Sequence, residues 1–546
     1  MSKIIKKAIT VLLATLIVVS MVACGGGDKS FSYDGKETKL SHELKNDYKE
    51  GDYDNYIALT EQADALLSEG TDFEAFKTAL AKVWDYKYEF WGNYVVSYVN
   101  YYIYGKSEDA NDYVNYITMF YDATEWIEGT EHALADSPFK ADYFVDMTDE
   151  EIAEYLGEQK SERYYELQAE QNEIISAYYQ LDYEDYYDGA AEYYLRLIDV
   201  NNGIAEEEGY ENYSDYAYPN VYGRDYSVDE TDEYFENVKK YIYPAYIALN
   251  ERTKAAFSSF TDEEKKLCND FENSNGFVNY MSDFKKYARY MGGEFLKAYN
   301  YLWNGKGYYF ISQESGAPQA AFTWALISGE PFVFFSKEYQ GIITIVHEFG
   351  HYFAHWEGGG DGGMDLSETQ SQANEFLFTK YFLNNCDYSD NVKSYILDKK
   401  MLNTAESIIT CSIINEFEKF AYTVEDPTAE VLDEYMESLN DMVPEIGGQE
   451  YLSFLKRYWR AVCIDNAAYY ISYSVSLISS LEIYAEAVDD FSAGKVAYLK
   501  ICNPDAYPTY RGTVTDAGLA DPLSEEAFVA IYNALLGIEE EAAIAA

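Results

Sequence analysis

Only 10 prolines stand in 546 residues, and from about Ser41 onward apolar positions keep returning at helical spacing, so the chain reads as one helix after another. The period is plainest where Trp84, Tyr88, Trp91, Val95, Tyr98 and Tyr102 recur at alternating steps of four and three, which places them on one helical face. Such a stripe packs a core or lines a channel. With 48% hydrophobic and 17% aromatic residues, the latter led by 59 tyrosines, the composition is globular. The expected class is mainly α, a large multi-helix fold of two to three packed subdomains.

The helical texture breaks in two places. The stretch Gly209-Tyr210-Glu211-Asn212-Tyr213-Ser214-Asp215-Tyr216 holds breakers and turn residues, and predicts a junction between an N-terminal helical region, 41–208, and a second region, 209–537. An acidic and alanine-rich tail follows at 538–546. Between Ser315 and Ser336, Gly316, Pro318, Gly329 and Pro331 punctuate the run Phe332-Val333-Phe334-Phe335, which reads as a strand, either at an edge or buried. An edge there could pair with an extended peptide. Helical signals resume from about Tyr339 to Trp356 and stop at the glycine-rich loop 358–363. The next helix opens near Asp365 or Ser367, either of which can act as its N-cap.

A formal net charge of -56 repels phosphate backbones and anionic headgroups, which excludes nucleic-acid binding and a polybasic membrane contact. The N-terminus carries a different membrane signal. Lys3, Lys6 and Lys7 precede an apolar stretch, Ala8 to Ala23, that is short for a transmembrane helix and predicts a secretory signal over 1–23. Its end, Met21-Val22-Ala23-Cys24, resembles a bacterial lipobox, which implies a lipid on Cys24, an extracytoplasmic location and a flexible tether at 24–40. The other five cysteines are odd in number and form no CxxC pair, so they suggest buried apolar residues rather than a disulfide framework.

Of five histidines, three lie within nine residues: His347, His351 and His355. His347 and His351 are four apart on the expected helix, so both imidazoles leave one face and can bind one ion. Glu348 then lies beside that ion, placed to take a proton from a water activated there. This His-Glu-x-x-His pattern is expected below about 0.01 times by chance in a chain with so few histidines. Ile342-Ile343-Thr344-Ile345-Val346 gives the helix an apolar back, and Gly350 leaves room for another backbone beside the metal face. A catalytic zinc takes three protein ligands, and either Glu368 or Glu375, seven apart on one face, can supply the third. Glu368 is expected to be the ligand, 17 residues after His351 on a helix-loop-helix return, with Glu375 supporting a ligand from behind.

These segments resemble the thimet oligopeptidase and oligoendopeptidase F family of zinc peptidases, whose third ligand opens a Glu-x-x-Ser-x-x-x-Glu helix, matched here by Glu368, Ser371 and Glu375. Ser315-Gly316-Ala317, Gly329-Glu330-Pro331-Phe332 and the stretch at 209–216 match as well, so the likeness covers roughly residues 200 to 480. The resemblance implies an ellipsoidal helical fold around a deep channel that admits short peptides, with a small sheet beside the zinc helix. It also implies a tyrosine pair that contacts substrate and steadies the oxyanion; Tyr469 and Tyr473, four apart, stand in that place.

Three departures qualify the likeness. Position 354 is Ala, with His355 one residue later than the family's further histidine; the loop before Glu368 is shorter than usual; and Cys463-Ile464-Asp465-Asn466 lacks the histidine expected ahead of the tyrosines. The implied activity is hydrolysis of short extracellular peptides, with one zinc ion on His347, His351 and Glu368, Glu348 as base, and Tyr469 or Tyr473 as oxyanion donor. A lipid-anchored peptide-binding protein on the same scaffold is the alternative, and the intact Glu348 weighs against it.

Overall fold

The computed structural model describes residues 52–157, 160–178, 186–304, 307–310, 317–325, 331–358, 363–441, 448–504 and 509–537. The expected signal peptide, Cys24, the tether, the tail, Ser315-Gly316, Gly329-Glu330 and positions 359–362 of the glycine loop lie outside the described residues. Among the described residues helices dominate, and none is long and apolar enough to cross a membrane. The chain divides into two compact units, one running to Lys160 and resuming over Asn300–Tyr339, the other comprising Ser161–Tyr299 and Gln340 onward. The division falls at 160/161 rather than at 208/209, and the stretch 209–216 lies inside the second unit, its residues 209–212 turning between helices Tyr186–Glu207 and Tyr213–Asn220 and its residues 213–216 opening the second helix.

In the first unit, α1 (Asp52–Glu69), α2 (Phe73–Tyr104) and α3 (Ser107–Ala135) pack around Phe76, Leu80, Val83, Phe90 and Ile127. Asp72 caps α2 by accepting from the Ala75 N–H. The aromatic stripe belongs to α2 and packs rather than lying open. Trp91, Val95 and Tyr102 join one cluster, and the Tyr98 ring sits 4.7 Å from Trp324 and 5.4 Å from Phe322; Tyr88, at 38% exposure, is the exception. A three-stranded sheet completes the unit in the order β1 (Tyr308–Phe310), β3 (Pro331–Phe335), β2 (Ala321–Ala325). Of the two readings, edge or buried, the strand takes the buried one: it is central, parallel to β1 and antiparallel to β2, and buried throughout. Phe332 and Phe334 enter the core with Val95, Val99 and Ile103, and Pro331 is confined to the first position of the strand.

The second unit carries α4 (Tyr186–Glu207), α5 (Tyr213–Asn220), α6 (Ile342–Glu357), α7 (Met364–Asn385), α8 (Asp390–Thr423), α9 (Gly448–Asp465), α10 (Ile471–Asp489) and α11 (Phe491–Cys502). Helix α7 is the unusual one: polar in sequence, yet buried nearly all round from Asp365 to Thr379. Three of its side-chain amides find partners within the unit. Gln370 donates to the Ile501 carbonyl of α11, Gln372 accepts from Ser476 of α10, and Asn374 donates to the Val346 carbonyl of α6 while accepting from Tyr287. Four of the five remaining cysteines are buried and all five are free thiols, as their number suggested.

Candidate metal centre

Helix α6 begins with the apolar run 342–346 against the core and stops at Gly358, whose φ of 86° suits a left-handed cap. Helix α7 then starts at Met364 with Gly363 in the cap position, two residues before Asp365 and four before Ser367. Asp365 and Ser367 therefore lie inside its first turn and are free for other work. The crossing of α6 and α7 is very close. A Cβ on Gly350 would sit 2.6 Å from the Ser371 Cα and 2.7 Å from the Gln370 carbonyl oxygen, so the glycine admits the second backbone as its position suggested.

That crossing brings His347, His351 and Glu368 together. The two Nε2 atoms lie 3.3 Å apart, and the Glu368 carboxylate is 3.7 Å from one and 4.0 Å from the other. A tetrahedral ion with bonds of ~2.05 Å spaces its ligands by ~3.3 Å, so the triangle closes around one such ion with a small contraction. Both Nδ1 atoms are engaged from behind. Glu375 lies 2.6 Å from Nδ1 of His347, and the Ser367 hydroxyl is 3.1 Å from Nδ1 of His351, an arrangement that turns both Nε2 atoms inward. Lys400 of α8 donates to the other oxygen of Glu375. Ser371 donates to Glu368, and the Tyr469 hydroxyl lies 3.4 Å from the same carboxylate.

Electrostatics separate the two glutamates. Burial pushes Glu368 up to about 7, against the pull of His347. Glu375 is buried too, but Lys400 and His347 outweigh that and hold it at about 2, a fixed anion. Burial works against a charge on His347, yet the bond to Glu375 and the carboxylates of Glu375, Glu368 and Glu348 raise it to about 9. His351 is driven well down by burial and by the neighbouring imidazoles of His347 and His355, so it stays neutral, as a ligand must. Glu348 is buried on the same helix, beside the first ligand and close enough to act on both His347 and Glu368.

The tyrosine pair is close to the site but not on one helical face. Helix α10 starts at Ile471, so Tyr469 lies in the turn before it, where Ala468 has a φ of 59°. The rings still meet edge to face at 5.2 Å, and burial with the nearby Glu368 raises both phenols far above their usual range. Beside the triad opens a cavity of about 730 Å³, lined among others by His347, Glu375, Lys400, Glu406, Phe454 and Tyr473. Ser367 and Lys400 are the residues whose part sequence alone did not show; Ser367 stood out only as a cap, and Lys400 carried no signal.

No protein-family model matches the chain, and no curated protein matches it by sequence. Solved structures do match in fold. A candidate oligoendopeptidase F solved at 3.1 Å superposes with a TM-score of 0.69 at 15% identity, covering 91% of this chain and 98% of the other. PZ peptidase A with a bound inhibitor gives 0.67 at 15% identity, over 91% and 99% of the two chains. A candidate oligoendopeptidase F from Bacillus anthracis strain Ames gives 0.63 at 16% identity, over 94% and 99%. The chain has the fold of these peptidases along nearly their whole length.

Proposed function

We propose that this chain is a zinc-dependent endopeptidase of the oligoendopeptidase F kind, cutting short peptides at the extracytoplasmic face of a bacterial membrane to which a lipid on Cys24 anchors it. The observation that carries this is the inward convergence of two Nε2 atoms and one carboxylate, with both Nδ1 atoms already engaged behind them. Zinc in such a site acidifies a water and polarises a carbonyl. His347, His351 and Glu368 would hold it. Glu348 accepts the water proton and returns it to the leaving amine, a task suited to a buried carboxylate beside the ligands. Tyr469 or Tyr473 donates to the oxyanion as it forms. The cavity beside His347 receives part of the peptide.

Zinc-loaded protein should cleave a quenched peptide library, and a chelator should stop it until zinc is restored. Glu348→Gln should lose at least about 100-fold in kcat with its metal content intact. Absence of cleavage by well-folded, zinc-loaded protein would instead leave a peptide binder. Cys24→Ala should release the protein from the membrane fraction; retention there would refute the anchor.

A further inference from the structure

We infer that Arg224 and Glu418 are positioning residues that hold the turn Ala467-Ala468-Tyr469 and so aim the Tyr469 hydroxyl at the metal centre. This rests on the reading of Tyr469 as an oxyanion donor and assigns the residues through which it acts. The turn is an unfavourable piece of chain, since Ala468 is one of only two non-glycine residues with positive φ among the described residues. Buried side chains from elsewhere in the unit tie down each of its peptide groups. Tyr222 donates to the Ala467 carbonyl at 2.5 Å. Arg224 donates to the Ala468 carbonyl at 2.8 Å, and through its other terminal nitrogen to the Tyr469 carbonyl at 3.0 Å and the Ser472 hydroxyl at 2.8 Å. The Ala468 N–H donates to the Glu418 carboxylate at 2.8 Å.

The guanidinium is itself fixed, lying 4.3 Å from the Tyr218 ring and 4.5 Å from that of Tyr222, which in turn packs against Tyr469 at 5.7 Å. Its Nε faces Asp365 at 3.7 Å, in the first turn of α7, three residues before Glu368. One buried cation therefore spans the backbone of the tyrosine turn and the helix that carries the third ligand. A glycine at 468 and an ordinary cap would enter α10 without burying charge. A buried guanidinium and a buried carboxyl, which burial raises to about 8, are out of proportion to turning the chain at a helix entry, and in proportion to fixing a hydroxyl within fractions of an ångström.

The test is a pair of double-mutant cycles on zinc-loaded protein, Arg224→Lys with Tyr469→Phe and Glu418→Met with Tyr469→Phe. Each is read by kcat and KM on a quenched peptide, and by calorimetric affinity for a phosphinic peptide, whose tetrahedral anion takes the place of the oxyanion. Arg224→Lys and Glu418→Met should each lower kcat by about 10-fold or more while KM stays within about twofold. In the Tyr469→Phe background the same changes should cost under about twofold in kcat and in phosphinate affinity, because the group they aim is gone. A full additional loss in that background, or losses that merely follow metal content, would overturn the inference. Should Arg224→Lys fail to fold, Glu418→Met, which has similar length and no acceptor for the Ala468 N–H, decides alone. Wild-type protein that neither cleaves nor binds the phosphinate sinks the enzyme reading and this inference with it; an active wild type with additive cycles sinks this inference only.

Discussion

Ser367 and Glu375 do the same job at opposite ends of the imidazole pair, each fixing an Nδ1 so that Nε2 points inward. Removing such a partner typically lowers metal affinity by ~10–100-fold, and both should do so here without removing a ligand. Ser367→Ala should weaken zinc binding by about 10-fold, measured by competition with a chromophoric chelator. Glu375→Gln should be worse, since it also leaves the half-buried Lys400 without its anion. Sequence spacing was enough to find His347, Glu348, His351, Glu368 and Glu375, because a helix converts spacing directly into a shared face. It was silent on Lys400, 25 positions from Glu375, and on Arg224, 244 positions from Ala468, since only tertiary packing brings them near. For Tyr469 and Tyr473 the spacing misled on placement: four apart suggested one helical face, yet a left-handed Ala468 puts Tyr469 outside the helix and still beside Tyr473.

At the level of elements, the crossing of α6 and α7 depends on one missing methyl group. Gly350→Ala would drive a carbon into the Ser371 backbone, and overpacking of this kind costs about 1–3 kcal/mol. The helices would part where the ligands meet, so the melting temperature and the zinc content should fall together; a variant that melts early but keeps full zinc affinity would refute the coupling. The strand Pro331–Phe335 shows where local reading stops. Its apolar run marked it as a strand, but edge and centre differ only in what pairs alongside, and β1 and β2 flank it on both sides. Helix α7 is the reverse case. Its composition is polar, and its burial follows from partners on α6, α10 and α11 that the local sequence does not show.

Across the whole molecule, charge sets the response to pH. Glu482 is buried, with a single bond from the Ala520 N–H; burial, then Glu526, Glu486 and Asp521, push it up to about 8. The folded state holds this proton after the unfolded chain has released it near 4.5, so stability falls as pH rises from about 4.5 to 8. Glu482→Gln should remove part of that slope. Melting scans at pH 5 and pH 8.5 should show the variant gaining on the wild type by at least about 1 kcal/mol at the higher value. Added salt should raise the melting temperature at both, by screening a net charge of -56. The interior placement of α7 also bears on how the protein opens. A buried helix bonded to neighbours on several sides cannot unravel by itself, so its amides should exchange with deuterium only when the surrounding unit comes apart. Protection over Glu368–Glu375 and His347–His351 should then rise and fall as one under mild denaturant.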